Sequence, residues 1–161
     1  MALLDRHHLR RNAFIAVHAG ASFRGRQWQP ERFALAIDEI SRQTGLDFLL
    51  VGGPDERASA ERIIAKAASP VVNVVGALSL ATLLAVLGQA RLFLGNESGP
   101  MHMAAARGNA GCRPVRPDRP GRLEACRRGQ CYAAALHALR VHSQGPVPPI
   151  RSEQGLLRLA T

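Results

Sequence analysis

Short apolar runs of strand type alternate, over the first two thirds of the chain, with stretches whose apolar residues recur every three or four positions. Phe14-Ile15-Ala16-Val17-His18 is the first such run; it ends in the small turn Ala19-Gly20-Ala21-Ser22 and a polar loop over 23–28. Pro30 then opens a helix whose apolar stripe is Phe33, Ala36, Ile37 and Ile40, and Gly45 closes it. Phe48-Leu49-Leu50-Val51 reads as a second strand ending in Gly52-Gly53-Pro54. A helix is predicted over 55–67, with acids in its first turn and Lys66 in its last, as the helix dipole prefers. A third strand over 71–75 stops at Gly76, and Leu78-Ser79-Leu80 leads into a helix through Leu83, Leu84 and Leu87 that stops at Gly88. The fourth run, Arg91-Leu92-Phe93-Leu94, passes through Gly95-Asn96-Glu97-Ser98-Gly99-Pro100 into a helix carrying Met101, Ala104 and Ala105.

Strands and helices alternating at this spacing indicate parallel crossovers, hence an α/β fold with helices on both faces of the sheet. In such sheets ligands sit beyond the carboxyl ends of the strands. Three polar, glycine-containing turns fall there, at 19–28, 52–56 and 95–99, and are expected to converge on one crevice. The last is the most informative. Ser98 is a candidate N-cap, Gly99 allows close approach to the backbone and His102 lies in the first helical turn, a pattern suited to holding an anion. The same residues also suit a plain capped helix with a solvated histidine. No GxGxxG or P-loop is present, and no Ser/His/Asp series or Cys/His pair is spaced for nucleophilic catalysis.

Composition alters this picture after residue 107. The chain has 161 residues, 47% of them hydrophobic, which is enough for one ordinary core. No run reaches the roughly 18 apolar residues of a membrane span, and the opening MALLDRHHLRR lacks a signal-peptide core, so a cytoplasmic protein is expected. The net charge of +9 would point to an anionic partner, but it is unevenly distributed. Residues 1–107 carry twelve basic against nine acidic side chains, whereas 108–161 carry nine Arg against three acids, with all three cysteines and six of the ten prolines. Cys112, Cys126 and Cys131 fit no zinc spacing, and an odd count argues against a disulfide framework.

Five motifs in order carry a family resemblance. His18-Ala19-Gly20-Ala21-Ser22, then Arg26-Gln27-Trp28 with Phe33, then Gly52-Gly53-Pro54 with Glu56, then Gly76-Ala77-Leu78-Ser79-Leu80, then Asn96-Glu97-Ser98-Gly99-Pro100-Met101-His102 with Ala104-Ala105 resemble the C-terminal half of glycosyltransferase family 9, the lipopolysaccharide heptosyltransferases and their relatives. The likeness covers about residues 13–108. It implies a Rossmann-like parallel sheet forming the donor-binding half of a GT-B enzyme. The donor is typically ADP-heptose, the transfer to the lipopolysaccharide inner core is inverting and metal-independent, and no cofactor is used. Ala21, Ser22 and Arg26 would face the donor diphosphate, with Ser98, Gly99 and His102 completing that end; Glu56 would accept from the ribose hydroxyls and Leu78 would line the base pocket. Arg26 stands where the family usually has Lys, which keeps the charge and adds a fork suited to phosphate. Glu97, in a supporting place in the turn, replaces the usual Asp and is one methylene longer. Trp28 fits a packing anchor as well as a ligand contact. Catalytic residues are expected in none of these positions, since in this family the general base and the acceptor site belong to an N-terminal domain that the resemblance does not cover. Partners are therefore a nucleotide sugar and, through that other domain, a lipopolysaccharide core acceptor, with at most peripheral association at the inner face of the membrane.

Two further segments are read by contrast with the family. Residues 1–12 are expected to be a linker or leader. After residue 108 the family continues with a strand and loop of the form T-P-V-V-A-L-F-G-P-T-D-P, whereas here the text is Asn109-Ala110-Gly111-Cys112-Arg113-Pro114-Val115-Arg116-Pro117-Asp118-Arg119-Pro120. Generic codons for these residues, read one nucleotide later, permit the family text at every one of the twelve positions. The reading is that 109–161 is translated out of frame, through a gene lesion or a sequencing error, and is poorly ordered apart from a compositional helix over 131–141. Twenty Arg beside one Lys fit a GC-rich gene. Sequencing of the DNA around codon 108 tests it: absence of the family loop from every frame overturns it. Two other functions compete with donor binding: a vestigial, non-catalytic nucleotide-binding fragment, and a basic nucleic-acid-binding module using the Arg-rich tail. The tail's single Tyr offers little for base stacking, so no nucleic-acid partner is expected.

Overall fold

The computed structural model describes residues 2–21, 27–108, 110–114 and 123–126. Its elements run α1 Ala2–Arg6, β1 Phe14–His18, α2 Pro30–Thr44, β2 Asp47–Leu50, α3 Arg57–Lys66, β3 Val72–Asn73, α4 Leu80–Leu87, β4 Leu92–Gly95, α5 Gly99–Ala106, β5 Ala110–Pro114 and β6 Leu123–Cys126. The strands form one sheet in the order β3-β2-β1-β4-β5-β6. All pairs are parallel except β5 with β6. This is the doubly wound α/β arrangement expected from the alternation. Its strand order reverses between β1 and β4, the switch point at which such sheets open a crevice.

Period-two alternation along the strands divides the interior into two cores. Ile15 and Val17 of β1, Phe48 and Leu50 of β2, and Leu92 and Leu94 of β4 pack with Phe33, Ala36, Ile37 and Ile40 of α2 and Ala60 and Ile63 of α3. The intervening residues Phe14, Ala16, Leu49 and Phe93 face the other side, against Leu83, Val86 and Leu87 of α4 and Met101 and Ala104 of α5. Central strands buried on both faces explain why their text is almost continuously apolar. The α2 boundaries follow the expected signals: Pro30 opens it, and Gly45 closes it at φ 65°, donating its N–H to Ser41 O.

The structure departs from expectation in four places. Residues 2–6 form a helix rather than a linker, and Leu4 and Leu9 are buried in the second core. Helix α3 begins at Arg57, because Pro54–Glu56 is a 3-10 turn. Strand β3 has two residues rather than five, although the Val74 and Gly76 N–H groups still donate to Leu50 O and Gly52 O; between them the Val75 N–H, on the outer edge of the sheet, is taken by the Asn73 side chain. Finally, no strand was expected after residue 108, yet Ala110–Pro114 pairs in parallel with β4, Leu92 opposite Ala110 and Leu94 opposite Cys112. The flank of β4 presents backbone donors and acceptors that need partners, and main-chain pairing there does not depend on an apolar side-chain pattern. The helix expected over 131–141 lies outside the described residues.

Candidate functional site

The carboxyl ends of β1, β2 and β4 meet, as the three turns predict, and a buried polar network ties them together. His18 closes β1 in the middle of the sheet and is 4% exposed. Its Nε2 lies 3.1 Å from each carboxylate oxygen of Glu56, in the turn after β2. Its Nδ1 lies 3.1 Å from Ser98 Oγ, in the turn after β4. The Glu56 carboxylate also accepts the Gly53 N–H at 2.8 Å. Burial alone would raise the Glu56 pKa. The hydrogen bond and charge of His18 and the Gly53 amide outweigh it and hold this carboxyl below the usual carboxylate range.

Two glycines make room for that carboxylate. A Cβ at Gly20 would fall 1.3 Å from Glu56 Oε1, and one at Gly52 would fall 2.1 Å from Oε2. The glycines of both turns thus serve an internal contact as well as any ligand.

Asn96 forms a second tie. It is 1% exposed, its Oδ1 accepts the Trp28 N–H at 3.1 Å and its Nδ2 donates to Ala19 O at 2.7 Å. Gln27 Nε2 donates to the same carbonyl at 3.0 Å. One buried amide therefore fixes both ends of the 19–28 loop to the β4 turn. Trp28 belongs to the core, edge-on to Phe33 with ring centroids 5.5 Å apart. The turn after β3 joins the same edge, because the Gly76 N–H donates to Gly52 O at 2.9 Å and Arg57 reaches Gly76 O at 3.4 Å.

The expected site residues therefore divide. Glu56 and Ser98 are in the network. Ser98 takes the N-cap position of α5, but its hydroxyl makes no cap bond; it faces His18 and reaches Asn96 O at 3.1 Å. Glu97, Gly99 and His102 are exposed around the start of α5, and a Cβ at Gly99 would meet nothing within 4 Å. Ala21 is partly buried at the end of the described β1 turn; Ser22 and Arg26 lie outside the described residues. Leu78 is partly buried and packs on the second core with one side. Sequence reading gave no role to His18 or Asn96. Each is a polar residue at the end of an otherwise apolar parallel strand, where it must find a partner, and that was the available signal. Among the described residues no group of three or more His, Cys, Asp or Glu could hold a metal ion, and no helix is long and apolar enough to cross a membrane.

Comparison with known proteins places this geometry. Solved structures that share the fold include the following three. A glycosyl transferase family 9 protein from Veillonella parvula is 24% identical, with TM-score 0.64 over 71% of this chain and 34% of its own. An Escherichia coli ADP-heptose lps heptosyltransferase II is 23% identical, with TM-score 0.62 over 73% of this chain and 38% of its own. The E. coli heptosyltransferase WaaC with ADP-2-deoxy-2-fluoro heptose is 21% identical, with TM-score 0.56 over 66% and 34%. The chain thus spans little more than a third of the length of these relatives. No curated protein matches it. Residues 4–110 match the family profile described as glycosyltransferase family 9 (heptosyltransferase), starting at the helix that buries Leu4 and ending at the first residue of β5. The chain belongs to glycosyltransferase family 9.

Proposed function

We propose that this chain is the nucleotide-sugar-binding half of a GT-B glycosyltransferase, and that its donor is an ADP-sugar of the ADP-heptose type, used in an inverting, metal-independent transfer to the lipopolysaccharide inner core. The observation that carries the reading is the joining of the three strand-end turns at the β1/β4 switch point, with Gly99 and His102 left exposed where α5 begins. Uncapped amides and the positive end of the helix dipole suit a diphosphate there. Glu56, ionised and a quarter exposed, suits ribose hydroxyls as an acceptor. Among similar structures are WaaC with ADP and with an ADP-sugar analogue.

In this reading the chain's own contribution to the reaction is to hold the departing nucleoside diphosphate, where developing negative charge needs fixed donors. Residues 13–108 do the binding, 109–161 take no part, and Ala21, Ser22 and Arg26 are the diphosphate-binding residues of the first turn. The protein works at the cytoplasmic side of the inner membrane without spanning it. A melting experiment on the full chain tests the donor site. ADP at a hundred times its dissociation constant stabilises by about 2.7 kcal/mol, enough to raise the melting temperature by several degrees. No ADP-dependent rise in a folded sample overturns the reading. Release of ADP from ADP-heptose, after addition of an acceptor-binding domain from a family member and a core acceptor, tests transfer itself.

A further inference from the structure

The network at the strand ends has an asymmetry that the donor-site reading does not use. Glu56 sits after β2 and Ser98 after β4, and the described bonds join them only through the His18 ring. This ring is 4% exposed on the central strand, and both its nitrogens are engaged. Ser98 Oγ has one proton. If it goes to Asn96 O, the ring donates from both nitrogens; if it turns to Nδ1, the ring donates from Nε2 alone. Either way Nε2–H points at the Glu56 carboxylate. Gly20 and Gly52 confine that carboxylate, since a Cβ at either position would overlap it.

Resting on the donor-site reading, we propose that His18 is a positioning residue for a nucleoside diphosphate: Nε2 sets the Glu56 carboxylate for the ribose, and Nδ1 sets Ser98, hence the first turn of α5, for the diphosphate. One buried ring thereby fixes the spacing between the two ends of the ligand. His18 touches no substrate. It acts through two residues on two different turns, so its halves are separable by mutation.

The separation uses side chains that reproduce one nitrogen each. In His18→Asn the amide stands near the Nδ1 position and keeps Ser98 while losing Glu56. In His18→Gln it reaches the Nε2 position and keeps Glu56 while losing Ser98. The test is calorimetric titration of the full chain and both variants with ADP, adenosine and inorganic pyrophosphate, alongside melting curves. His18→Asn is expected to weaken adenosine about tenfold and spare pyrophosphate, and His18→Gln to do the reverse, as loss of one hydrogen bond to a charged or aligned partner implies. Gly52→Ala, whose Cβ would fall 2.1 Å from Glu56 Oε2 and crowd that side chain first, should reproduce the His18→Asn profile, and it keeps the test open if a His18 variant fails to fold. Variants that bind all three ligands as the wild type does, or that weaken all three equally, overturn the proposal. If the wild-type chain binds none of them, the donor-site reading itself falls, and this inference with it.

Discussion

The turn after β4 contains two populations of polar residues, separated by a single step along the chain. Asn96 and Ser98 point inward, are 1% and 6% exposed, and spend their hydrogen bonds on Trp28, Ala19, His18 and the turn's own backbone. Glu97, Gly99 and His102 face solvent around the start of α5. The first group holds three turns in register. The second is exposed, and in the proposed function Gly99 and His102 are where the ligand is met. The difference teaches that a conspicuous polar motif is not a uniform list of ligand contacts: alternation, which decides the faces of a strand, also divides the turn that follows it.

Mutations that respect this division should separate stability from binding. The largest effect is expected from Asn96→Ala, which strands the buried Trp28 N–H and removes one of the two side-chain donors to the Ala19 carbonyl. It should cost about 3 kcal/mol in urea denaturation. Gly52→Ala should cost less, about 1 kcal/mol, because the group it displaces is the far end of a flexible side chain, yet Glu56 must give up both His18 and Gly53.

Acid should act in the same place. The folded-state pKa of Glu56 lies below its unfolded value, so its contribution to stability is present at neutral pH and is lost as pH falls through the usual carboxylate range and below. Melting temperature should therefore fall more steeply on acidification in the wild type than in Glu56→Gln. A parallel fall in the two proteins would remove Glu56 from the framework. The smallest stability effect is expected from His102→Ala, within about 0.5 kcal/mol of wild type, together with about tenfold weaker ADP binding. A destabilised His102→Ala that binds ADP normally would invert the comparison.

Much of this architecture was legible because the period of the apolar pattern changes cleanly between strand and helix. The stripe Phe33, Ala36, Ile37, Ile40 and the run 48–51 lie where the pattern put them. Short elements were less legible. Strand β3 occupies two residues of a five-residue apolar run, with the Asn73 side chain taking the outward Val75 N–H, and α1 is five residues held through Leu4 and the following Leu9. Strand β5 owes its place to the open flank of β4 rather than to its own text.

At the site, the residue types of the β4 turn suggested an anion-binding helix start, and the fold brings Glu56 and Ser98 to one crevice with it. The direction of each side chain was beyond sequence reading. Ser98 fits an N-cap by type and position, and only its distance to His18 reveals that its hydroxyl is used elsewhere. His18 and Asn96 stand in the quoted motifs but were given no role, for a related reason: a polar residue that ends a strand looks the same in sequence whether it faces a ligand or another turn.

The central claim is that one ligand, a nucleoside diphosphate, spans the ends of β1, β2 and β4. Amide chemical-shift mapping of the 15N-labelled full chain during titration with ADP tests it most directly. The account predicts saturable shifts concentrated at residues 18–21, 52–57, 76–79 and 96–102, with α3 beyond its first turn unmoved. Shifts confined to other parts of the surface, or no saturable shifts from a folded chain, would contradict it.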